Sequence, residues 1–344
     1  MGKSTTIGVD LAKSVFEVAI SREPGRVSQR RRVSRSQMAR LLADEPSSTV
    51  LMEACGSAHY WGRVFEGQGH EVRLLPAHHV SRYRLGNKTD RADVDALLEA
   101  GRNERIFPVP VKSVAQQTLT ALHRLRCEWV ATRTARLNGL RGLLREIGIV
   151  IPRGARRVLP AVGDALGRGQ VPQELHIPMM ACCEEIRGLE EKIRQVEEQL
   201  AAIAKESGAV KSLLSVPGIG LLTATAMIGL VGSAGRFRSG RRYASFLGLV
   251  PREFSSGNTR RLGGISKRGD GYLRTLLIHG ARAVLIAAKR AKNPDRLRLW
   301  ALQLEKRRGH NRAATALANK LARIAWAVWS KATLYQPARL APCS

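Results

Sequence analysis

The sequence predicts an α/β domain followed by an all-α remainder, and three observations predict it. The first hundred residues alternate short apolar runs with helical patterns. Two long helical stretches follow, one of them with a heptad seam. Charge is spread unevenly. The 344 residues carry a formal net charge of +29, yet residues 1–100 hold 15 Lys and Arg against 12 Asp and Glu, while residues 236–331 hold 23 against 4. The chain is long enough for two or three domains and a substantial core, and its 44% apolar content is ordinary for a folded protein.

Residues 5–22, TTIGVDLAKSVFEVAISR, read as two strands joined by a short turn. In the second, Phe16, Val18 and Ile20 alternate with Val15, Glu17 and Ala19. RVSQRRRV (26–33) is polar enough for an edge strand. SRSQMARLLADE (34–45) opens on capping serines and continues as a helix. STVLMEAC (48–55) is a buried strand type, AHYWGRVFEGQG (58–69) a helix closed by Gly, and HEVRLLPA (70–77) a further strand. A helix then starts within NKTDRADVDALLEA (87–100). The order β-β-β-α-β-α-β-α suggests three antiparallel strands followed by parallel crossovers. It matches the ribonuclease H-like architecture, in which the first and fourth strands are central neighbours. Asp10 ends the first and Glu53 the fourth. The two carboxylates would face each other at the strand ends, where α/β sheets place their sites.

Residues 113–147 read as one long helix with apolar positions Leu122, Leu125, Trp129, Leu137, Leu140, Leu144 and Ile147. A stretch with Pro and Gly (152–178) interrupts the pattern. Ile186, Leu189, Ile193, Val196, Leu200 and Ile203 then recur at heptad spacing. Two long helices packed antiparallel as a coiled-coil arm account for this, as does a dimerising arm. The expected division is 1–110 for the α/β domain, 111–207 for the arm and 208–335 for a basic, mainly helical domain. In the last, LLSVPGIGLLTATAMIGLVG (213–232) places PGIG between two apolar segments. GHNRAATALANKLARIAWAVWSK (309–331) is an amphipathic helix with Ala313, Leu317, Leu321, Ile324 and Val328 on one face.

A charge of +29 implies a polyanionic partner, most naturally nucleic acid, because clustered Lys and Arg gain from counterion release. The plainer reading is high solubility. The five cysteines (Cys55, Cys127, Cys182, Cys183, Cys343) form no CxxC pair. An odd count with no targeting segment at the start fits the cytoplasm. No apolar run approaches a membrane span.

Within NKTDRADVDALLEA lie Asp90, Asp93, Asp95 and Glu99. Thr89 or Asp90 capping a helix, with Asp93 at the positive end of its dipole, would explain the acids structurally. Asp90 and Asp93 are three apart and share a face, whereas Asp95 and Glu99 occupy another. Asp10 and Glu53 each end an apolar strand, where a lone carboxylate is costly. Asp10 could cap the LAK turn, but that leaves Glu53 unexplained. Four hard oxygen donors at one sheet edge would repel unless they held a cation. Mg²⁺ suits such donors, Mn²⁺ is an alternative, and a pair of ions can stabilise attacking and leaving oxygens in phosphoryl transfer.

PGIG reads as a helix-hairpin-helix element, with Gly218 and Gly220 allowing close backbone approach to phosphate. A plain turn between core helices is its structural alternative. SSGNTRRLGG reads as a flexible loop flanked by Arg252, Arg260, Arg261, Lys267 and Arg268, which suit phosphate. Serine before glycine is usually a turn former. It becomes a nucleophile only with a base or metal to activate it.

Taken together, IGVDLAK, LMEACG, NKTDRADVDALL, SVPGIG, GLVPREFSSG, ISKRGDGYLR and NRAATALANKLARIAW resemble the DEDD transposases of bacterial insertion sequences, relatives of the Piv/MooV DNA invertases. The resemblance covers nearly the whole chain in order. It implies a RuvC-like N-terminal domain with Asp10, Glu53, Asp90 and Asp93 as a metal-binding tetrad. It implies Ser256 as a nucleophile that forms a covalent phosphoserine link to double-stranded DNA, and guidance by a structured RNA. Asp95 beside Asp93 and Ser255 beside Ser256 are the alternatives within each motif. The expected function is an Mg-dependent DNA transposase and recombinase acting as a homo-oligomer. A junction nuclease using water and a non-catalytic nucleic-acid scaffold are the alternatives. An actin-like ATPase fits poorly, lacking a second phosphate loop and a use for the charge.

Overall fold

The computed structural model describes residues 5–337, in a first unit, Met1–Gln117, and a second, Thr118–Ser344. Cys343 lies outside the described residues, and Cys55, Cys127, Cys182 and Cys183 are free thiols.

The first unit opens with β1 (Thr6–Asp10), β2 (Val15–Ser21) and β3 (Gln29–Ser34). There follow α1 (Arg35–Ala43), β4 (Thr49–Glu53), α2 (Ala58–Gly67), β5 (Glu71–Leu75), the short α3 (Ala77–Val80) and α4 (Asp90–Arg102). The sheet order is β3-β2-β1-β4-β5. β1–β2 and β2–β3 are antiparallel, whereas β1–β4 and β4–β5 are parallel. Strand periodicity divides the side chains between two faces. Ile7, Val9, Val50 and Met52 face one way and bury against Met38, Leu42, Trp61 and Phe65 of α1 and α2. Each such side chain contributes about 1.5–3 kcal/mol by leaving water. A capping box starts α1, with the Ser34 hydroxyl accepting from the Gln37 N–H and Gln37 Oε1 from the Ser34 N–H.

The opposite face, with Ala19 and Leu51, receives Val94 and Leu98 of α4. That helix sits close because of Gly8. A Cβ there would lie 3.1 Å from Val94 Cγ1 and 3.3 Å from its carbonyl oxygen. Asp10 and Glu53 are two residues beyond Gly8 and Leu51, so strand alternation points them to the same face as α4.

The second unit is helical apart from one hairpin. Its long helices are α5 (Val114–Glu146, which begins in the first unit) and α7 (His176–Glu206). Between them the interrupted stretch forms its own helix, α6 (Val158–Gly167), which the sequence pattern did not signal. Ion pairs Arg126–Glu197 (2.7 Å), Arg133–Glu190 (3.8 Å) and Arg136–Glu185 (2.6 Å) show α5 and α7 running antiparallel. Exposed pairs of this kind contribute at most about 1 kcal/mol each. The apolar seam does more: Leu137, Leu140 and Leu144 pack with Val158, Val162, Met179, Cys183 and Ile186. Leu125, expected on the buried face, is 42% exposed. Its neighbour His123 is buried instead, its Nδ1 3.0 Å from Tyr272 Oη and its Nε2 3.0 Å from Thr225 Oγ1.

Burial, with Arg126 second, depresses His123 to about 4. The unfolded chain therefore binds a proton more readily than the folded one between pH 6.5 and 4. Stability from this residue is complete above pH 6.5 and is lost as pH falls toward 4, by up to about 3 kcal/mol. Thermal melts should show that acid-side loss, and His123→Gln should flatten it.

The chain continues with α8 (Gly208–Leu214), α9 (Leu221–Ala226), α10 (Gly240–Phe246), β6 (Pro251–Glu253), β7 (Leu262–Ile265), α11 (Gly271–Arg290), α12 (Arg296–Arg308) and α13 (His310–Lys331). Ala313, Leu317, Leu321 and Val328 of α13 enter the main core, and Ile324 is partly buried at its edge. Gly218 of the PGIG turn (φ +79°) meets Gly280 of α11 backbone to backbone, and a Cβ on Gly280 would stand 1.9 Å from the Gly218 oxygen. Neither backbone can yield without moving a helix. Gly280→Ala should cost about 2–3 kcal/mol, readable as a lowered melting temperature; an unchanged melt would refute the packing argument.

Candidate active site

β1 and β4 pair in parallel up to Val9–Met52, so Asp10 and Glu53 end neighbouring strands. Both residues are half-buried. α4 delivers the other two acids from its first turn. Its N-cap is Thr89, whose hydroxyl accepts from the Ala92 N–H at 3.2 Å. The expected cap is therefore present, and it fixes where Asp90 and Asp93 emerge. Asp10 registers all three neighbours. Its pKa is pushed up to about 6, first by burial and then by the charges of Asp93, Asp90 and Glu53, against a backbone hydrogen bond from Leu11. The four acids therefore converge on one end of one sheet face.

Two arginines sort the acids of α4. Arg84 Nη1 donates to Asp93 Oδ1 at 2.9 Å, with both side chains about a quarter exposed. Arg30 on β3 donates to Asp95 at 2.6 Å. Asp95 is thus turned toward the sheet edge, and Glu99 toward Arg102 at 2.7 Å. Among the described residues, no group of three or more His, Cys, Asp or Glu side chains stands close enough together to hold a metal ion as placed. The donor set nevertheless suits a hard divalent cation. It is four oxygen acids, and the other three disfavour the charge on Asp10, which a cation would relieve.

Ser256 belongs to the second unit. The segment expected as a flexible loop is a β-hairpin, in which Phe254 N–H reaches the Arg261 carbonyl at 2.9 Å. Ser256 and Thr259 exchange backbone hydrogen bonds at 3.2 and 3.1 Å around Gly257–Asn258. Gly257, at φ +54°, supplies the backbone that a two-residue hairpin needs at its first central position. The tip is exposed. The two serines differ. Ser255 Oγ donates to Glu253 Oε1 at 2.8 Å and accepts from the Arg261 N–H at 3.3 Å. Ser256 Oγ makes no hydrogen bond among the described residues, so its hydroxyl is available. Arg252, Arg260, Arg261, Lys267 and Arg268 are all exposed around the hairpin, and Arg260 also pairs with Glu253 at 3.3 Å. At the PGIG turn, Gly218 is committed to packing on Gly280, whereas Gly220 remains open at the start of α9.

Sequence reasoning missed Arg84, Arg30 and a cationic recess on α13. An arginine in an irregular segment carries no periodic signal, and its partner is defined only once α4 docks.

Against known proteins, residues 7–149 match the sequence model of the DEDD transposases of IS110 elements, described as "Transposase". Residues 210–296 match the "Transposase IS116/IS110/IS902 family". A Pseudomonas aeruginosa protein described as "Probable family 20 transposase" is 43% identical over 335 residues, 96% of this chain and 98% of that protein. The transposase for insertion sequence element IS1111A of Coxiella burnetii is 41% identical over 96% of this chain and 91% of its own length. The transposase for insertion sequence element IS1328 of Yersinia enterocolitica is 34% identical over 97% and 99% respectively. The matches define the class as transposase. The chain belongs to the IS116/IS110/IS902 family of insertion-sequence transposases. DNA is accordingly its substrate class, and among the described residues no helix is long and apolar enough to cross a membrane.

Proposed function

We propose that the protein cuts and rejoins DNA by phosphoryl transfer through a covalent phosphoserine on Ser256. The observation that carries this reading is the convergence of Asp93, Asp90 and Glu53 on the half-buried Asp10. The sheet order and strand directions support a ribonuclease H-like, RuvC-like identity for the first domain (1–110). The arm (111–207) would serve oligomerisation, and the basic domain (208–335) would carry the serine.

In this reading Asp10, Glu53, Asp90 and Asp93 hold divalent metal, Mg²⁺ by preference, as one or two ions. Bound there, the metal would stabilise charge on phosphate oxygens. Ser256 Oγ attacks the phosphorus, the Oγ–P bond forms, and the P–O bond to the departing deoxyribose oxygen breaks. The hydroxyl proton leaves to solvent and the leaving oxygen takes one up. Arg252, Arg260, Arg261, Lys267 and Arg268 neutralise the phosphates around the hairpin and add charge stabilisation in the transition state. Asp93 is poised by Arg84, which holds its carboxylate at the strand ends. Guidance by a structured RNA fits the strongly basic second unit, and we place the action in the cytoplasm on double-stranded DNA. Isolating the full-length protein from its native cell and sequencing what it retains tests this reading. Element-end DNA together with one recurrent structured RNA is the expected result; DNA bound with no recurrent RNA would remove the guided part.

A further inference from the structure

Beside the hairpin lies a recess of about 790 Å³ to which the proposed chemistry gives no task. Its walls include Pro251 of β6 and Gly264 of β7, its floor is α13, and Trp300 of α12 closes one side. Arg312, Lys320 and Arg323 line it. Arg296 is near enough to act electrostatically on Lys320, as Arg323 does. None of these four cations has an acidic partner among the described residues, although other cations of α11 and α12 do: Lys289 pairs with Glu305 and Arg298 with Asp295. Burial and then Arg296 and Arg323 depress Lys320. A cluster of unpaired cations around a recess is electrostatically costly unless an anion enters it. Lys320 Nζ sits 4.1 Å from the centre of the Trp300 ring, an aromatic face that it covers in the absence of a ligand. Gly264 has open space where a Cβ would stand, so its backbone is accessible to a bound chain.

We propose that this recess is a subsite for a single strand of DNA, with Arg312, Lys320 and Arg323 on its phosphates and a base stacked on Trp300. An unpaired base is required, because a paired one cannot reach an aromatic side wall. The hairpin links the recess to the serine. From Pro251 to Ser256 is five residues, at most about 17 Å of extended chain, a span of a few nucleotides of single strand. The subsite therefore grips the strand several nucleotides from the bond that Ser256 attacks and sets the register of cutting. This assignment rests on the reading of Ser256 as nucleophile.

The test is equilibrium binding by full-length protein across a series of salt concentrations. The probes are fluorescent oligonucleotides of equal length: single-stranded DNA, duplex DNA and single-stranded RNA. Arg312 and Arg323 are exposed, so Arg312→Gln with Arg323→Gln removes two charges without touching the core. For single-stranded DNA the logarithmic salt slope should shrink by about 1.4, two contacts at roughly 0.7 each. Trp300→Leu should weaken single-stranded DNA about five- to hundredfold with the slope unchanged. Lys320→Gln, checked by circular dichroism, provides a further charge variant should Trp300→Leu fold poorly. An unchanged slope in the double variant overturns the subsite. Equal losses on duplex overturn its strandedness, and losses confined to RNA overturn the assignment to DNA. Binding needs no reaction, so a failure of Ser256 to form adducts would leave this result separately readable.

Discussion

Asp10→Asn should abolish DNA cleavage and at the same time raise the melting temperature of the metal-free protein. Both effects come from one arrangement. Ionised Asp10 is disfavoured by burial and by three neighbouring carboxylates, which lift its pKa from 3.8 to about 6. An acid whose folded pKa exceeds its unfolded value binds its proton more tightly when folded. Stability from this group is therefore intact below about pH 4 and falls as pH rises through 6. At neutral pH the full penalty stands. Solvent screening at this half-exposed position trims it to about 1–2 kcal/mol. Asparagine removes the penalty and should raise the melt by about 1–3 °C at pH 7. It also removes a metal donor, for which a loss of at least about 10²–10³-fold in cleavage is expected. Differential scanning calorimetry with chelator, paired with a cleavage assay, separates the two effects. A variant that melts lower and cleaves normally would mean that the acids are ordinary surface charge.

Ser256→Ala should eliminate covalent protein–DNA adducts while leaving DNA affinity within about twofold, since one neutral hydroxyl contributes little beside the surrounding phosphate contacts. Ser255→Ala is the internal control. The Ser255 hydroxyl bridges Glu253 and the Arg261 N–H, so its loss should loosen the hairpin by about 1 kcal/mol and still permit adducts. The distinction follows from local structure: one serine is tied into the hairpin, and its neighbour at the exposed tip is free. Adducts that persist in Ser256→Ala and vanish in Ser255→Ala would reverse the assignment.

Much of the first unit was legible in the sequence because short apolar runs, bounded by turn and cap residues, mark its strands and set their order. The element order makes β1 and β4 neighbours with Asp10 and Glu53 at their ends, and the NKTD cap marks where α4 begins. What the sequence did not show was why α4 lies so near the sheet. That depends on Gly8 and on the paired approach of Gly101 to Leu51, where a Cβ would stand 2.2 Å from Leu51 Cδ1. Glycine carries no periodic signal, so the docking is invisible until the helix is in place. The heptad seam of α7 was readable from its apolar spacing. α5 was less so, because a buried histidine takes a position that hydropathy assigns to Leu125. The segment around Ser256 was read as a loop, without the hairpin that flanks it. Its Gly and Ser content resembles a loop, but Gly257–Asn258 is a tight turn held by cross-strand hydrogen bonds. The PGIG turn was read for its outward N–H groups, yet Gly218 is spent on contact with Gly280, more than sixty residues away. Contacts of that range leave no local trace. The recess on α13 escaped for a related reason: Arg312, Lys320 and Arg323 look like the polar face of any amphipathic helix until β6 and β7 wall them in.

The most direct measurement is to incubate the full-length protein with its element-end DNA and Mg²⁺, denature, digest with protease and nuclease, and locate the nucleotide by mass spectrometry. The account predicts a nucleotide on the peptide containing Ser256, absent with chelator and absent in Asp10→Asn and Glu53→Gln. Cleaved DNA bearing free 5′ phosphates, with no nucleotide on any peptide, would contradict it and indicate a nuclease that uses water.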